Sequence, residues 1–216
     1  MNTEEFIKHT TYYLSLGFSV IPVGQDKKPL IKWEQFQKRK PTEEEIKRWT
    51  EKYKNLNIGI VTGSISGIVV VDIEAGGDTG NLPPTVIVKT GGDGFHFYYK
   101  HPQTTVKNAV RIRDKTDIRG DGGYVVAPPS LHKSGNRYEW VVPPEKGAFA
   151  EPPKWIFEIS PQGQSKELQA PKIDWKQFLS QENPEGSRNS LAARLAGKLL
   201  YHLPADLWEI AGWATM

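Results

Sequence analysis

Eight residues, Gly67 to Glu74, reading Gly-Ile-Val-Val-Val-Asp-Ile-Glu, constrain this chain more than any other stretch. Four consecutive β-branched residues, Ile68 to Val71, bounded by Gly67 before and Gly76-Gly77 after, suit a strand covered on both faces and predict a central place in a sheet. Carboxylates are awkward at the end of such a strand, because an unpaired buried charge is neutralised or costs several kcal/mol. The period of two sends residues 72 and 74 to one face and Ile73 to the other. Asp72 and Glu74 therefore either mark a strand end entering a Gly-rich turn, or hold a hard divalent ion, or two ions roughly 3.5–4 Å apart.

At 216 residues, with 38% hydrophobic and 25% charged residues, the chain can bury a sizeable core, and one globular domain with an appendage is expected. No apolar run approaches the roughly 18–20 residues that span a bilayer, and Met1 to Thr11 is polar with early acids, unlike a signal peptide. A cytoplasmic, intracellular protein with no membrane partner is the expectation. The absence of cysteine excludes disulfides, thiolate nucleophiles and Cys-containing zinc sites, so any metal must be held by oxygen or imidazole. With a net charge of only +3, attraction for nucleic acid must come from a local patch.

Helical spacing of Phe6, Ile7, Thr10, Tyr13 and Leu14 predicts a helix over 3–16, with Thr3 and Glu5 in its first turn and Gly17 at its end, followed by a strand over 18–23. The basic turn Gln25 to Leu30 leads to Trp33 and reads either as a solvated loop with Trp33 on the core or as a template or nucleotide contact. Thr42 is a candidate cap for a second helix carrying Ile46, Trp49 and Tyr53 on its inner side. From Asn57 the pattern becomes strands: 58–62, 68–74, 85–90, 95–100, 116–119, 124–127 and 137–142. Helices first and a compact sheet after predict an α+β fold. Residues 155–159 suggest a short closing helix, 161–171 a linker, and 172–216 a helical segment cut from something longer, with Leu191, Leu195, Leu199 and Leu203 recurring every four residues.

Two further clusters accompany Asp-x-Glu. In Thr90-Gly91-Gly92-Asp93-Gly94-Phe95-His96-Phe97-Tyr98-Tyr99, the residues Phe95, Phe97 and Tyr99 share one strand face, which leaves His96 on the other and presents its imidazole outward. His96 is then either an ordinary hydrogen-bonded histidine or a donor to phosphate beside glycines that allow close backbone approach. In Thr116 to Ser130, alternation puts Asp117 and Arg119 on one face, as a structural ion pair or as a third metal carboxylate beside a cation for triphosphate oxygens. The embedded Arg119-Gly120-Asp121 has no adhesion role to play in a chain without marks of secretion.

Asp72-Ile73-Glu74, the Gly-rich turn into His96, and Asp117 in Asp-Ile-Arg-Gly-Asp-Gly-Gly-Tyr-Val-Val-Ala-Pro-Pro-Ser together resemble the three motifs of the bifunctional primase-polymerase (prim-pol) domains of the archaeo-eukaryotic primase superfamily, found in plasmid, phage and CRISPR-associated replication proteins. Lys27-Lys28-Pro29-Leu30 with Trp33, and Gly63 to Gly67, are also similar, so the resemblance covers roughly residues 5–160. It implies an RRM-like catalytic sheet joined to a smaller αβ unit, Asp72, Glu74 and Asp117 as catalytic ligands of two divalent ions (Mg2+ or Mn2+), and His96 as a contact to the nucleotide's phosphates. Glu185 to Asn189 and the leucine helix look like the segment that leads to a helicase domain in such proteins, but no Gly-x-x-x-x-Gly-Lys-Ser/Thr loop lies within this chain.

The resulting expectation is a DNA primase and DNA polymerase, a template-directed nucleotidyltransferase acting on single-stranded DNA template, primer strand and nucleoside triphosphates. Arg119 joins His96 in neutralising the triphosphate, with Lys89 and Ser130 as further nucleotide-binding candidates. Arg188, Arg194 and Lys198 either grip an initiating nucleotide or line a solvated helix face. Two rivals stand beside this reading. A metal-dependent nuclease of the rolling-circle type would call for a His-x-His pair, which the five histidines do not form. A non-catalytic RRM-like module would bind single strands through Phe95 and Phe97, but gives no reason for three converging acids.

Overall fold

The computed structural model describes residues 1–80, 82–145 and 149–157, all within the first of two units into which the chain divides, Met1–Lys166. The expected linker over 161–171 and helices over 172–216 lie outside the described residues.

Helix α1 (Thr3–Ser15) buries Phe6, Thr10 and Tyr13, and its cap is Asn2, whose side chain accepts from the Glu5 N–H at 2.8 Å. Helix α2 (Glu43–Lys52) starts at Thr42 as the sequence predicts. Thr42 Oγ1 accepts from the Glu45 N–H and Glu45 Oε2 accepts from the Thr42 N–H, a reciprocal capping box. Both helices precede the larger sheet in the chain, and α1 packs on strands β1 (Ser19–Val23) and β2 (Asn57–Val61).

Two antiparallel sheets follow, giving a mixed α/β architecture. The smaller has the order β1-β2-β8, with β8 at Tyr124–Ala127. The larger has six strands in the order β6-β7-β3-β5-β4-β9: β3 is Ile68–Ile73, β4 Val86–Lys89, β5 Phe95–Lys100, β6 Ala109–Arg113, β7 Thr116–Arg119 and β9 Glu139–Val142. As its β-branched run predicts, β3 lies inside this sheet, between β5 and β7, with Ile68 to Val71 buried on both faces. Ile68 and Val70 face the core shared with β1, β2, α1 and α2, while Val69, Val71 and Ile73 face a second core with Phe97, Tyr99, Ile118 and Ile156. Position 72 therefore opens toward the smaller sheet.

Strand β6 escaped the sequence pattern. It is an edge strand with a register shift between Ala109 and Arg113, only Ala109 is buried, and Arg111 adopts a left-handed φ of 50°, so no apolar alternation survives. Strand β9 begins at Glu139 rather than Arg137, and the closing element after Pro153 is a 3-10 turn, Lys154–Ile156.

Candidate active site

The pairing of three strands makes the site. Asp72 lies directly across from His96 of β5 on one side and from Asp117 of β7 on the other, so three polar residues form one row on one face of the larger sheet. The His96 Nε2 stands 3.5 Å from Asp72 Oδ1. Arg119 joins the row, because two residues along β7 is one pleat on the same face. Its guanidinium lies 2.6 Å from Asp117 Oδ2 and 3.8 Å from Asp72 Oδ2, so one cation serves two carboxylates. The backbone N–H of Arg111 donates to Asp117 Oδ1 at 2.8 Å, which fills the other oxygen. Glu74 sits one residue past β3 and is exposed, its N–H bonded to the Lys115 carbonyl at 2.9 Å.

His96 does not point outward to solvent as its strand alternation suggests. It is only 4% exposed, because the face opposite Phe97 is covered by the smaller sheet's side of the molecule, and the rings of Tyr138 and Tyr98 lie 5.8 and 6.3 Å from it, centroid to centroid. Burial lowers the His96 pKa, Asp72 partly opposes this, and the positive charges of Lys27 and Arg119 reinforce it. The imidazole is thus a neutral group, with one N–H to donate.

One cleft of about 710 Å³ contains Asp72, Glu74, His96, Asp117 and Arg119, and sets Lys27, His132 and Lys133 against them. The basic turn borders the cleft and packs on the smaller sheet's side. Lys27, at a left-handed φ of 67°, lines the cleft while its carbonyl accepts from the Tyr124 hydroxyl at 3.0 Å, and Trp33 packs edge-on against Tyr124. His132 was missed by the sequence reading. Its Nδ1 is 3.0 Å from the Ser134 hydroxyl, which in turn donates to the Gly91 carbonyl at 2.7 Å. Burial, then Lys27 and Lys133, lower its pKa. The signal that could have found it is the spacing from Ser130 to Gly135, a turn that folds back onto the Gly-rich loop.

The glycines of that loop serve close approach within the protein. A side chain at Gly91 would meet the Cβ of His132 at 2.3 Å, and one at Gly94 would meet the Ile73 carbonyl oxygen at 2.3 Å, whereas one at Gly92 would make ordinary contact, with the His132 ring at 3.4 Å.

Other expected site residues are placed elsewhere. Lys89 lies across from Phe95 on the reverse face and pairs with Asp93 at 3.3 Å. Ser130 is fully buried, its hydroxyl oxygen accepting from the Ile58 N–H at 2.9 Å, which commits it to joining the smaller sheet. Arg188, Arg194 and Lys198 lie outside the described residues. Asp121 braces a loop. Burial raises its pKa, but bonds from the N–H groups of Ser64 and Val106 and from His101 outweigh that and hold it below the ordinary value.

Among the described residues no group of three or more His, Asp or Glu side chains stands together as a metal-holding cluster. The donor chemistry nonetheless suits a hard divalent ion. Asp72 and Asp117 are adjacent oxygen donors already arranged around a positive charge, that of Arg119, and Glu74 lines the same cleft.

Asp72, Glu74 and Asp117 thus share one cleft with Arg119, Lys27 and Lys133. The family model described as bifunctional DNA primase/polymerase, N-terminal, matches residues 10–155, and the chain belongs to this prim-pol family. Membership implies DNA primase/polymerase activity, a nucleotidyl transfer, at the level of the family. No curated protein matches the chain.

Proposed function

We propose that this chain is a template-directed nucleotidyltransferase that synthesises and extends DNA primers, and that the cleft over Asp72 is its active site. The observation that carries the reading is the row Asp117–Asp72–His96 across three neighbouring strands, in one cleft with Arg119, Lys27, His132 and Lys133. In this reading the six-stranded sheet is the RRM-like catalytic sheet, and β1, β2 and β8 with the two helices form the smaller αβ unit. The substrates are single-stranded DNA template, primer strand and nucleoside triphosphates, and a helicase domain is the natural neighbour in a longer chain.

Asp72, Glu74 and Asp117 would hold the divalent ions, Mg2+ or Mn2+. Such ions supply activation of the primer hydroxyl and neutralisation of charge on the triphosphate. The protein's own groups do the rest. His96, neutral and held rigid by burial, donates a hydrogen bond to a phosphate oxygen without charging. Arg119 exchanges part of its hold on the two carboxylates for phosphate oxygens, and Lys27, His132 and Lys133 take the far end of the triphosphate. Tyr138 and Tyr98 keep water from the inner side of His96.

The single-strand-binding alternative is disfavoured by one feature. Phe97 is 7% exposed and packs with Tyr99 and Ile156, with Phe95 against the same cluster, so these rings build a core and not a stacking platform. The experiment is incorporation of labelled nucleotide on a primed template with Mg2+ or Mn2+. Template-dependent extension is expected, and degradation of the strands without extension would replace this reading by the nuclease. For His96→Ala, the nucleotide KM rises strongly while template affinity holds.

A further inference from the structure

We infer that the hairpin of β6 and β7, at the edge of the larger sheet, is the seat of the primer strand's last phosphodiesters. This inference rests on the proposed reading of the neighbouring cleft. The hairpin carries Arg111, Arg113 and Lys115, all exposed, within five residues. A second, smaller hollow of about 300 Å³ is lined by these three together with Asp114, Glu74 and Asp117. Glu74 and Asp117 line the main cleft as well, so the hollow ends on the carboxylates where a strand's reacting 3′ end has to arrive. Set aside those two acids, and Asp114 alone opposes three cations.

The local backbone explains why the cations stand here. The register shift in β6 puts Arg111 at φ 50°, which turns its N–H onto Asp117 while its guanidinium makes no hydrogen bond or ion pair among the described residues. Arg113 lies over the Trp155 ring, 4.1 Å from its centroid, and Lys115 Nζ reaches only a carbonyl, that of Ala75, at 3.1 Å. Among the described residues none of the three pairs with a carboxylate, unlike Arg39 and Arg119 of the same chain. Exposed edge strands are a hazard unless charged or bulged, and this edge is both. Yet charge for that purpose alone needs no hollow leading to the acids. A polyanion in extended form fits three cations spaced along a hairpin, with the Trp155 ring beside Arg113 as apolar surface. A template strand would fit the same chemistry, but only the strand whose 3′ hydroxyl reacts has to end at Glu74 and Asp117.

The test is equilibrium binding, which does not depend on catalysis. The 216-residue protein and its R111Q/R113Q/K115Q variant are titrated with a fluorescent primer-template over a range of salt, after thermal melts show both folded. The magnitude of the slope of log affinity against log salt falls by about one for each phosphate contact removed, so by about three in the variant. In parallel, wild-type protein is titrated with DNA whose last three primer linkages, or the three template linkages opposite them, are neutral methylphosphonates. Neutral primer linkages weaken wild-type binding about tenfold or more and leave the variant unaffected, as expected when both changes remove the same contacts. An unchanged salt slope overturns the proposal. So does non-additivity with template linkages in place of primer linkages, which would assign the hairpin to the template. Wild-type protein that binds DNA in this way but transfers no nucleotide would refute the proposed activity and leave the surface standing.

Discussion

Adding one methyl group at Gly94 is expected to damage the site more than the fold. An ideal Cβ at this position falls 2.3 Å from the Ile73 carbonyl oxygen and 3.2 Å from the Glu74 Cα. Both are backbone atoms at the end of β3, so no flexible side chain can turn aside. Gly94 has no left-handed φ, which leaves sterics as the whole cost. Overpacking of this kind costs about 1–3 kcal/mol, and for a domain of this size that lowers Tm by roughly 2–12 °C. The turn is pinned by the Thr90 hydroxyl, which accepts from the Gly94 N–H at 3.0 Å, and by the Thr90 N–H on the Gly94 carbonyl at 2.9 Å. It must therefore shift as a unit, carrying His96 away from Asp72. A displacement near 1 Å costs on the order of a hundredfold in rate. The assay pairs urea melts with kcat/KM for nucleotide incorporation by Gly94→Ala. Gly67→Ala is the control: with φ 66° and nothing within 4 Å, it loses roughly 1 kcal/mol through backbone conformation and keeps its activity. Melting within about 1 °C of wild type together with unchanged kcat/KM for Gly94→Ala would refute the reasoning.

Thr42→Ala removes the capping box of α2 and lowers stability by about 1 kcal/mol without changing kinetics, as read from urea melts. Arg119→Gln strips the shared cation from Asp72 and Asp117, so the metal-free protein melts lower and added Mg2+ raises its Tm more than it raises that of wild type. For pH, the sign follows from His96 and His132, whose folded pKa values both lie below the ordinary 6.5. Their contribution is fully present above that value and is lost as pH falls through the depressed folded values, so Tm drops on acidification below about pH 6.5. In His132→Gln that drop is shallower.

Local chemistry made much of this molecule legible in the sequence. The run Ile68 to Val71 announces an interior strand, and Thr42 with Glu45 announces a helix start, because each depends on neighbours in the chain. The row of Asp72, His96 and Asp117 could be assembled only through the family resemblance, since strand register is a tertiary property. Where the reading failed, long-range packing decided. Alternation places His96 on the correct face but cannot say that another sheet covers that face. Lys89 and Ser130 stand near the motifs in sequence, yet one points to the reverse side and the other is spent on β2. His132 reaches the cleft through a turn whose partner, Gly91, is far away in the chain. Arg111 hides its strand because a bulged, charged edge has no apolar period.

The measurement that bears most directly on the proposed activity is nucleotide incorporation by Asp72→Asn on a primed template, run beside a thermal melt of the same preparation. Asp72 is the middle of the row, one-quarter exposed, and touches both His96 and Arg119. The change keeps the shape of the side chain and removes its charge. The account predicts that incorporation falls by at least a hundredfold with Mg2+ or Mn2+ while Tm stays within a few degrees of wild type, as expected of a group that acts on the transition state. Incorporation at the wild-type rate, or a loss matched by collapse of the fold, would contradict it.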